Sequence, residues 1–237
     1  VSQAPDTHYQ FVAHAPKNIS SRPVVIGMGP AGLFAGLILA QMGFRPIILE
    51  RGKAVRDRTK DTFGLWRQSV LNPESNVQFG EGGAGTFSDG KLHTQISDPQ
   101  HYGRKVLEEF VLAGAPEEIL YVSKPHIGTF RLVKMVENIR TKITELGGEI
   151  RFESKVDRIV REDGQVVAVE LAGGERIATR HVVLAVGHED PPVAADAAPA
   201  PAGYIEPTGL GAVLGSGDHK TVGRLYVGFS LLFGAAA

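Results

Sequence analysis

The sequence predicts an α/β fold, with helices packed on a parallel sheet and a β-hairpin inserted late in the chain. Three observations carry this. The apolar run Val24-Val25-Ile26 enters the glycine turn Gly27-Met28-Gly29-Pro30-Ala31-Gly32. A helix-spaced segment and a second apolar run, Ile47-Ile48-Leu49, then lead to an acid, Glu50. Two further segments with helical spacing end at Gly114 and at Gly147-Gly148. Val156 to Val160 and Val166 to Leu171 flank the polar turn Glu162-Asp163-Gly164, a hairpin signal.

In chain order, residues 1–22 read as an extended lead-in in which Tyr9, Phe11 and Val12 can pair as an edge strand. Residues 23–50 form the first strand–helix–strand unit. Leu33, Leu37, Ile38 and Ala40 give its helix an apolar face, and Gly43 ends it. Residues 53–72 are a mixed-charge helical segment with Arg56, Arg58, Lys60, Phe63 and Trp66. A glycine-dense loop, Phe79 to Leu92, follows with no apolar period. Val106, Leu107, Phe110 and Val111 mark a helix over 103–113. Leu132, Val133, Val136, Ile139, Ile143 and Leu146 mark another over 129–146, with Thr129 as its N-cap. Glu149 to Phe152 is a strand, the hairpin follows, and His181 to Gly187 closes the pattern as another buried strand. From His188 to Ala202, ten of fifteen residues are Ala or Pro, which predicts an irregular or disordered tail over 189–237. Gly209 to Gly215 imitates a glycine motif without a strand before it.

Composition excludes several classes. A length of 237 residues accommodates one large domain or two small ones. Net charge is −1, which offers no electrostatic footprint for nucleic acid or an anionic membrane surface. With no cysteine, a disulfide framework, a flavin–disulfide pair and a thiol nucleophile are all excluded. No secretory leader or bilayer-length apolar stretch is visible, so a cytoplasmic location is expected. No metal-ligand spacing occurs among the eight histidines. The first residue is Val, which points to a processed product or part of a longer protein.

The first unit has the layout of a dinucleotide-binding, Rossmann-like turn. Gly27 permits the sharp exit from the strand, Gly29 lets a pyrophosphate approach the backbone, and Gly32 lets the helix pack close to the sheet. The helix N-terminus offers N–H groups and a partial positive charge to phosphates. Glu50 can accept hydrogen bonds from both ribose hydroxyls and disfavours a 2′-phosphate there, which argues against NADP at this turn. NAD and FAD both remain open on these residues, as does a tight turn with no ligand.

A wider set of residues resembles one family. The glycine turn, Glu50-Arg51-Gly52, the long run Ser75-Asn76-Val77-Gln78-Phe79-Gly80-Glu81-Gly82-Gly83-Ala84-Gly85-Thr86-Phe87-Ser88-Asp89-Gly90-Lys91-Leu92, and Leu184-Ala185-Val186-Gly187-His188 are similar to the bacterial uncharacterised FAD-dependent dehydrogenases. These belong to the flavoprotein group with two dinucleotide-binding folds. The resemblance covers residues 7–188. It implies a Rossmann-like FAD-binding domain over 23–188, with Gly27, Gly29, Pro30, Ala31 and Gly32 at the pyrophosphate and Glu50 at the adenosine ribose. It places Arg51 beside the adenine–ribose portion and the loop with Gly82, Gly83 and Lys91 at the ribityl and flavin portion. Val156 matches a position that meets adenine through its backbone, and Ala185 and Gly187 match the turn that returns the chain to the cofactor. Val186 stands where a Thr is common. Gly36 and Glu50-Arg51-Gly52 favour FAD over NAD by the same association.

The resemblance also implies a preceding domain, a following substrate half and a late glycine-rich motif, none of which these residues supply. The expected function is therefore an FAD-dependent oxidoreductase acting on a small-molecule substrate, with NADH and NADPH as candidate external reductants. The alternative is a non-catalytic, truncated dinucleotide-binding fragment, and a third reading is an NAD-dependent dehydrogenase. Asp89 and His93 are candidate proton donors. Trp66 with Phe63 is read as core packing or as a cofactor wall, and Arg56, Arg58 and Lys60 as a solvated helix face or, less favoured, as attractors of phosphate. No catalytic residue, substrate or oligomeric state is legible.

Overall fold

The computed structural model describes residues 6–94 and 96–187. The tail predicted over 189–237 lies outside the described residues, as does His188. Four parallel strands form one sheet: β1 (Val24–Ile26), β2 (Ile47–Leu49), β3 (Glu149–Arg151) and β7 (Val182–Leu184), in the order β3-β2-β1-β7. The register pairs Val24 with both Ile47 and Val182, so the strands end level with one another. A second sheet is antiparallel, formed by β4 (Val156–Glu162), β5 (Gln165–Leu171) and β6 (Arg176–Ala178). Its first two strands are the expected hairpin. Asp163 and Gly164 turn it with φ of 50° and 76°, the positive pair that a two-residue turn between twisted strands requires.

Strand alternation divides the core. Val24, Ile26, Ile47 and Leu49 face the second sheet and pack with Val156, Ile159, Val169, Leu171 and Ile177. Val25 and Ile48 point the other way, into a larger core with helices α1 (Pro30–Gln41), α3 (Tyr102–Leu112) and α4 (Thr129–Glu145). Phe34 of α1 meets Phe110 of α3 edge to face, with ring centres 5.4 Å apart. Helix α2 (Val55–Gln68) buries only the narrow stripe Val55, Arg58 and Thr62.

Several local expectations change. Residues 6–22 contain no strand. Tyr9 and Phe11 instead stack edge to face, and Lys105 lies over both rings. Gly128, not Thr129, is the N-cap of α4. Thr129 begins the helix, and its hydroxyl donates to the Ser88 carbonyl at 2.9 Å. Met135 joins the buried face of α4 beside Leu132, Val136, Ile139 and Ile143. Strand β7 is half-buried rather than buried, with Leu184 44% exposed, because it edges the described sheet. Phe63 and Trp66 are exposed, so neither belongs to the core.

Candidate functional site

The glycine turn sits at the carboxyl ends of β1 and β2, where open parallel sheets bind their ligands. The Gly27 N–H donates to the Leu49 carbonyl at 2.8 Å, and its φ of 95° sends the chain away from β1. A Cβ there would stand 2.5 Å from the Ala185 carbonyl oxygen. A Cβ on Gly32 would stand 2.8 Å from the Gly27 carbonyl carbon, so only glycine lets α1 start this close to the sheet. Gly29 differs from both. Its φ is −65°, and a Cβ on it would meet nothing within 4 Å. The space beside Gly29 is therefore open, and it faces the start of a helix. Pro30 occupies the first helical position, and the Leu33 N–H makes the first intrahelical bond, to the Gly29 carbonyl. The N–H groups of Ala31 and Gly32 precede that bond and have no partner within the helix.

Glu50 is 4% exposed and closes the turn from below. Its Oε2 accepts the Met28 N–H at 2.7 Å, and its Oε1 accepts the Gly52 N–H at 2.8 Å. Each carboxylate oxygen keeps a further lone pair, so the residue can brace the turn and still accept a ribose hydroxyl.

Tertiary folding brings the glycine-dense loop onto this turn. The Gly82 N–H donates to the Met28 carbonyl at 2.8 Å. Gly83 lies over the helix start: a Cβ on it would be 2.9 Å from Pro30 Cδ and 3.5 Å from Gly29 Cα. The Glu50-Arg51-Gly52 segment docks on the same loop. A Cβ on Gly52 would be 2.7 Å from both Gly80 N and Gly80 Cα, and Arg51 lies 4.2 Å above the Phe79 ring while pairing with Glu74 at 2.6 Å. Two motifs that are about thirty residues apart in sequence thus form one backbone-to-backbone surface.

The other expected site residues fall around this cluster. Ala185 aims its carbonyl at Gly27 and donates its N–H to the Ile26 carbonyl. Gly187, two residues on, is exposed with φ 76°. Val156 is buried between the two sheets against the strands that lead to the turn. Lys91, at the loop's exit, is 71% exposed at its side chain and pairs with Asp89 at 3.2 Å. That hydrogen bond from Lys91 holds the Asp89 carboxyl below its ordinary range. His93 is exposed.

Arg58 is the residue that sequence reasoning misplaced. It is fully buried instead of on a solvated face. Its guanidinium donates to the carbonyls of Asn76 (2.9 Å), Val77 (2.7 Å), Gly83 (2.7 Å) and Glu81. Burial lowers its pKa to about 10, opposed by the charges of Glu50 and Glu81. The sequence did hold a signal, since Arg58 lies between Val55 and Thr62 at helical spacing on one stripe. Glu81 is also fully buried. Its Oε2 accepts the Val55 N–H and pairs with Arg140 at 2.7 Å, while Oε1 has no hydrogen-bond partner. Burial pushes the Glu81 carboxyl up, against the pull of Val55, Arg140 and Arg58.

A shallow cavity of about 310 Å³ lies between Ser20, Arg22, Arg45 and Gly147. These residues precede β1, β2 and β3, so it opens at the opposite end of the sheet from the glycine turn. No group of His, Asp or Glu side chains among the described residues can hold a metal, and no described helix is long and apolar enough to cross a membrane.

The chain is similar to several known proteins. Residues 64–195 match the model of the flavin containing amine oxidoreductases, and the chain belongs to that flavoprotein family. An uncharacterised protein of Clostridium beijerinckii is 51% identical over 172 residues, covering 73% of this chain and 32% of that one. The chain therefore spans about a third of the length of the curated relative it matches. Among solved structures, THI4 of Thermovibrio ammonificans is similar with a TM-score of 0.47 and 20% identity, covering 71% of this chain and 58% of that one. The fructosyl amine:oxygen oxidoreductase Amadoriase I of Aspergillus fumigatus has a TM-score of 0.45 and 16% identity, covering 73% of this chain and 50% of that one.

Proposed function

We propose that this chain is the FAD-binding portion of an FAD-dependent oxidoreductase of the bacterial dehydrogenase type that its motifs resemble. The observation that carries the reading is the open space at Gly29. It lies at the N-terminus of α1, is overlain by Gly82 and Gly83, and is braced by Glu50. The donor set suits FAD. Backbone N–H groups at the turn would meet the pyrophosphate, and an acid at the end of β2 would meet an unphosphorylated ribose. Gly27, Gly29, Pro30, Ala31 and Gly32 would hold the pyrophosphate and Glu50 the ribose. Arg51 and Val156 would flank the adenosine. The loop with Gly82, Gly83 and Lys91 would face the ribityl and flavin portion, with Ala185 and Gly187 closing the return turn.

Bound FAD would supply hydride or electron transfer with a small-molecule substrate. The protein's part is to orient the cofactor. Its turn carries partial positive charge toward the phosphates, and its glycines keep side chains out of the way. NADH and NADPH are the reductants to screen. A second reading, a dinucleotide-binding piece with no turnover of its own, is motivated by the chain's 32% coverage of its relative.

The test is the visible spectrum of the purified protein before and after excess FAD, with the released cofactor identified by mass. About one equivalent of flavin per chain supports the proposal. A colourless protein that FAD neither binds nor stabilises sinks it. Flavin uptake without reduction by NADH, NADPH or screened substrates favours the second reading.

A further inference from the structure

We propose that Arg58 is the positioning residue of the flavin site, holding the glycine loop in the one conformation that overlies the helix start. The inference rests on the flavin reading above. The loop from Asn76 to Gly83 contains Gly80, Gly82 and Gly83 at φ of 121°, 78° and 64°. Chain of this composition has many conformations in solution and loses more entropy on ordering than other residues do. Few apolar side chains are available in it to offset that loss. Instead, four of its carbonyls converge on a single guanidinium.

The fork geometry matters. Nε reaches Asn76, Nη1 reaches Glu81, and Nη2 divides between Val77 and Gly83, so one planar group fixes both limbs of the loop. The far limb is the one seated on the turn, through Gly82 to Met28 and Gly83 against Pro30. The Phe87 ring covers the guanidinium at 4.8 Å and shields these bonds from water. Gly80 is part of the same device, because a Cβ there would collide with Arg58 Cδ and lie 3.0 Å from its Nε. A lysine at 58 would keep the charge, yet its three donors on one nitrogen cannot span four carbonyls.

The test uses the full 237-residue chain as wild type, Arg58→Lys and Arg58→Ala. FAD affinity is measured by flavin titration, and backbone hydrogen exchange is followed in residues 76–83 and in β1. The expected result is at least tenfold weaker FAD binding by Arg58→Lys, faster exchange in 76–83, and unchanged protection in β1. Millimolar ethylguanidinium, but not ethylammonium, restores most of the affinity of Arg58→Ala. Wild-type affinity in Arg58→Lys overturns the inference, as does a loss of protection in β1 equal to that in the loop. If the Arg58 variants do not fold, Phe87→Leu decides: it retains the arginine and removes the ring that covers its guanidinium at 4.8 Å, at a position with no positive φ. Weakened FAD binding with faster exchange confined to 76–83 in folded Phe87→Leu supports the inference, and wild-type binding and exchange refute it. A wild-type chain that takes up no FAD overturns the flavin reading itself, and this inference with it.

Discussion

Substituting Ala at Gly29 and, separately, at Gly32 distinguishes a ligand site from a tight turn. Gly29 has φ −65° and ψ −172°, a conformation open to any L-residue, and a new methyl there meets nothing within 4 Å. Alanine is a poorer N-cap than glycine by up to about 1 kcal/mol, and it reduces unfolded-chain entropy by about 0.4–1 kcal/mol. The two effects nearly cancel, so the Tm of Gly29→Ala without FAD should move by no more than about 4 °C. FAD binding should respond differently, since the methyl fills the space the pyrophosphate needs. Loss of one charge-assisted hydrogen bond, about 1.5–3 kcal/mol, corresponds to about 10- to 150-fold in Kd. Gly32→Ala places its methyl 2.8 Å from the Gly27 carbonyl carbon, against backbone that cannot rotate aside. It should cost about 1–3 kcal/mol or more of stability and weaken FAD as a consequence. The assays are thermal melts without cofactor and flavin titrations. If Gly29→Ala binds FAD within about twofold of wild type, or melts as low as Gly32→Ala, the pyrophosphate assignment is refuted.

Other perturbations follow from the same geometry. Glu50→Gln puts an amide donor against one of the Met28 and Gly52 N–H groups, so urea denaturation should show a loss of about 1–3 kcal/mol before any ligand is added. An unchanged midpoint would mean that Glu50 does not brace the turn. Glu149 is held below its ordinary value of 4.5, first by the hydrogen bond from Arg151 and then by Arg22. The stability this contributes is fully present above pH 4.5 and is lost as pH falls through the folded value. The Tm gap between wild type and Glu149→Gln should therefore be constant above that pH and close below it, and a gap that persists in acid would contradict this. Leu132 is fully buried in α4, and Leu132→Ala should lower stability by about 2–5 kcal/mol in the same denaturation assay.

Much of the fold was legible because its signals are local. The β-branched runs at 24–26 and 47–49, the glycines that end three of the helices (Gly43, Gly114 and Gly147), and Asp163-Gly164 between two alternating runs each act through neighbours in sequence. The four helices and the hairpin follow from these within a few residues. Strand β7 was legible as a strand but not as a half-buried edge, because edge position depends on which strand lies beside it.

The site divides in the same way. The sequence by itself determined the glycine turn and the acid at the end of β2, since the required backbone freedom and the length of the strand–helix–strand unit are properties of consecutive residues. Only the tertiary structure decided that the glycine loop lies on that turn, and that Gly52 and Gly80 meet backbone to backbone. It also decided that Arg58 is buried. On sequence terms an arginine between Asp57 and Thr59 belongs in water. Four carbonyls contributed by a loop eighteen or more residues away replace that water, and a convergence of this kind exists only once the chain has folded.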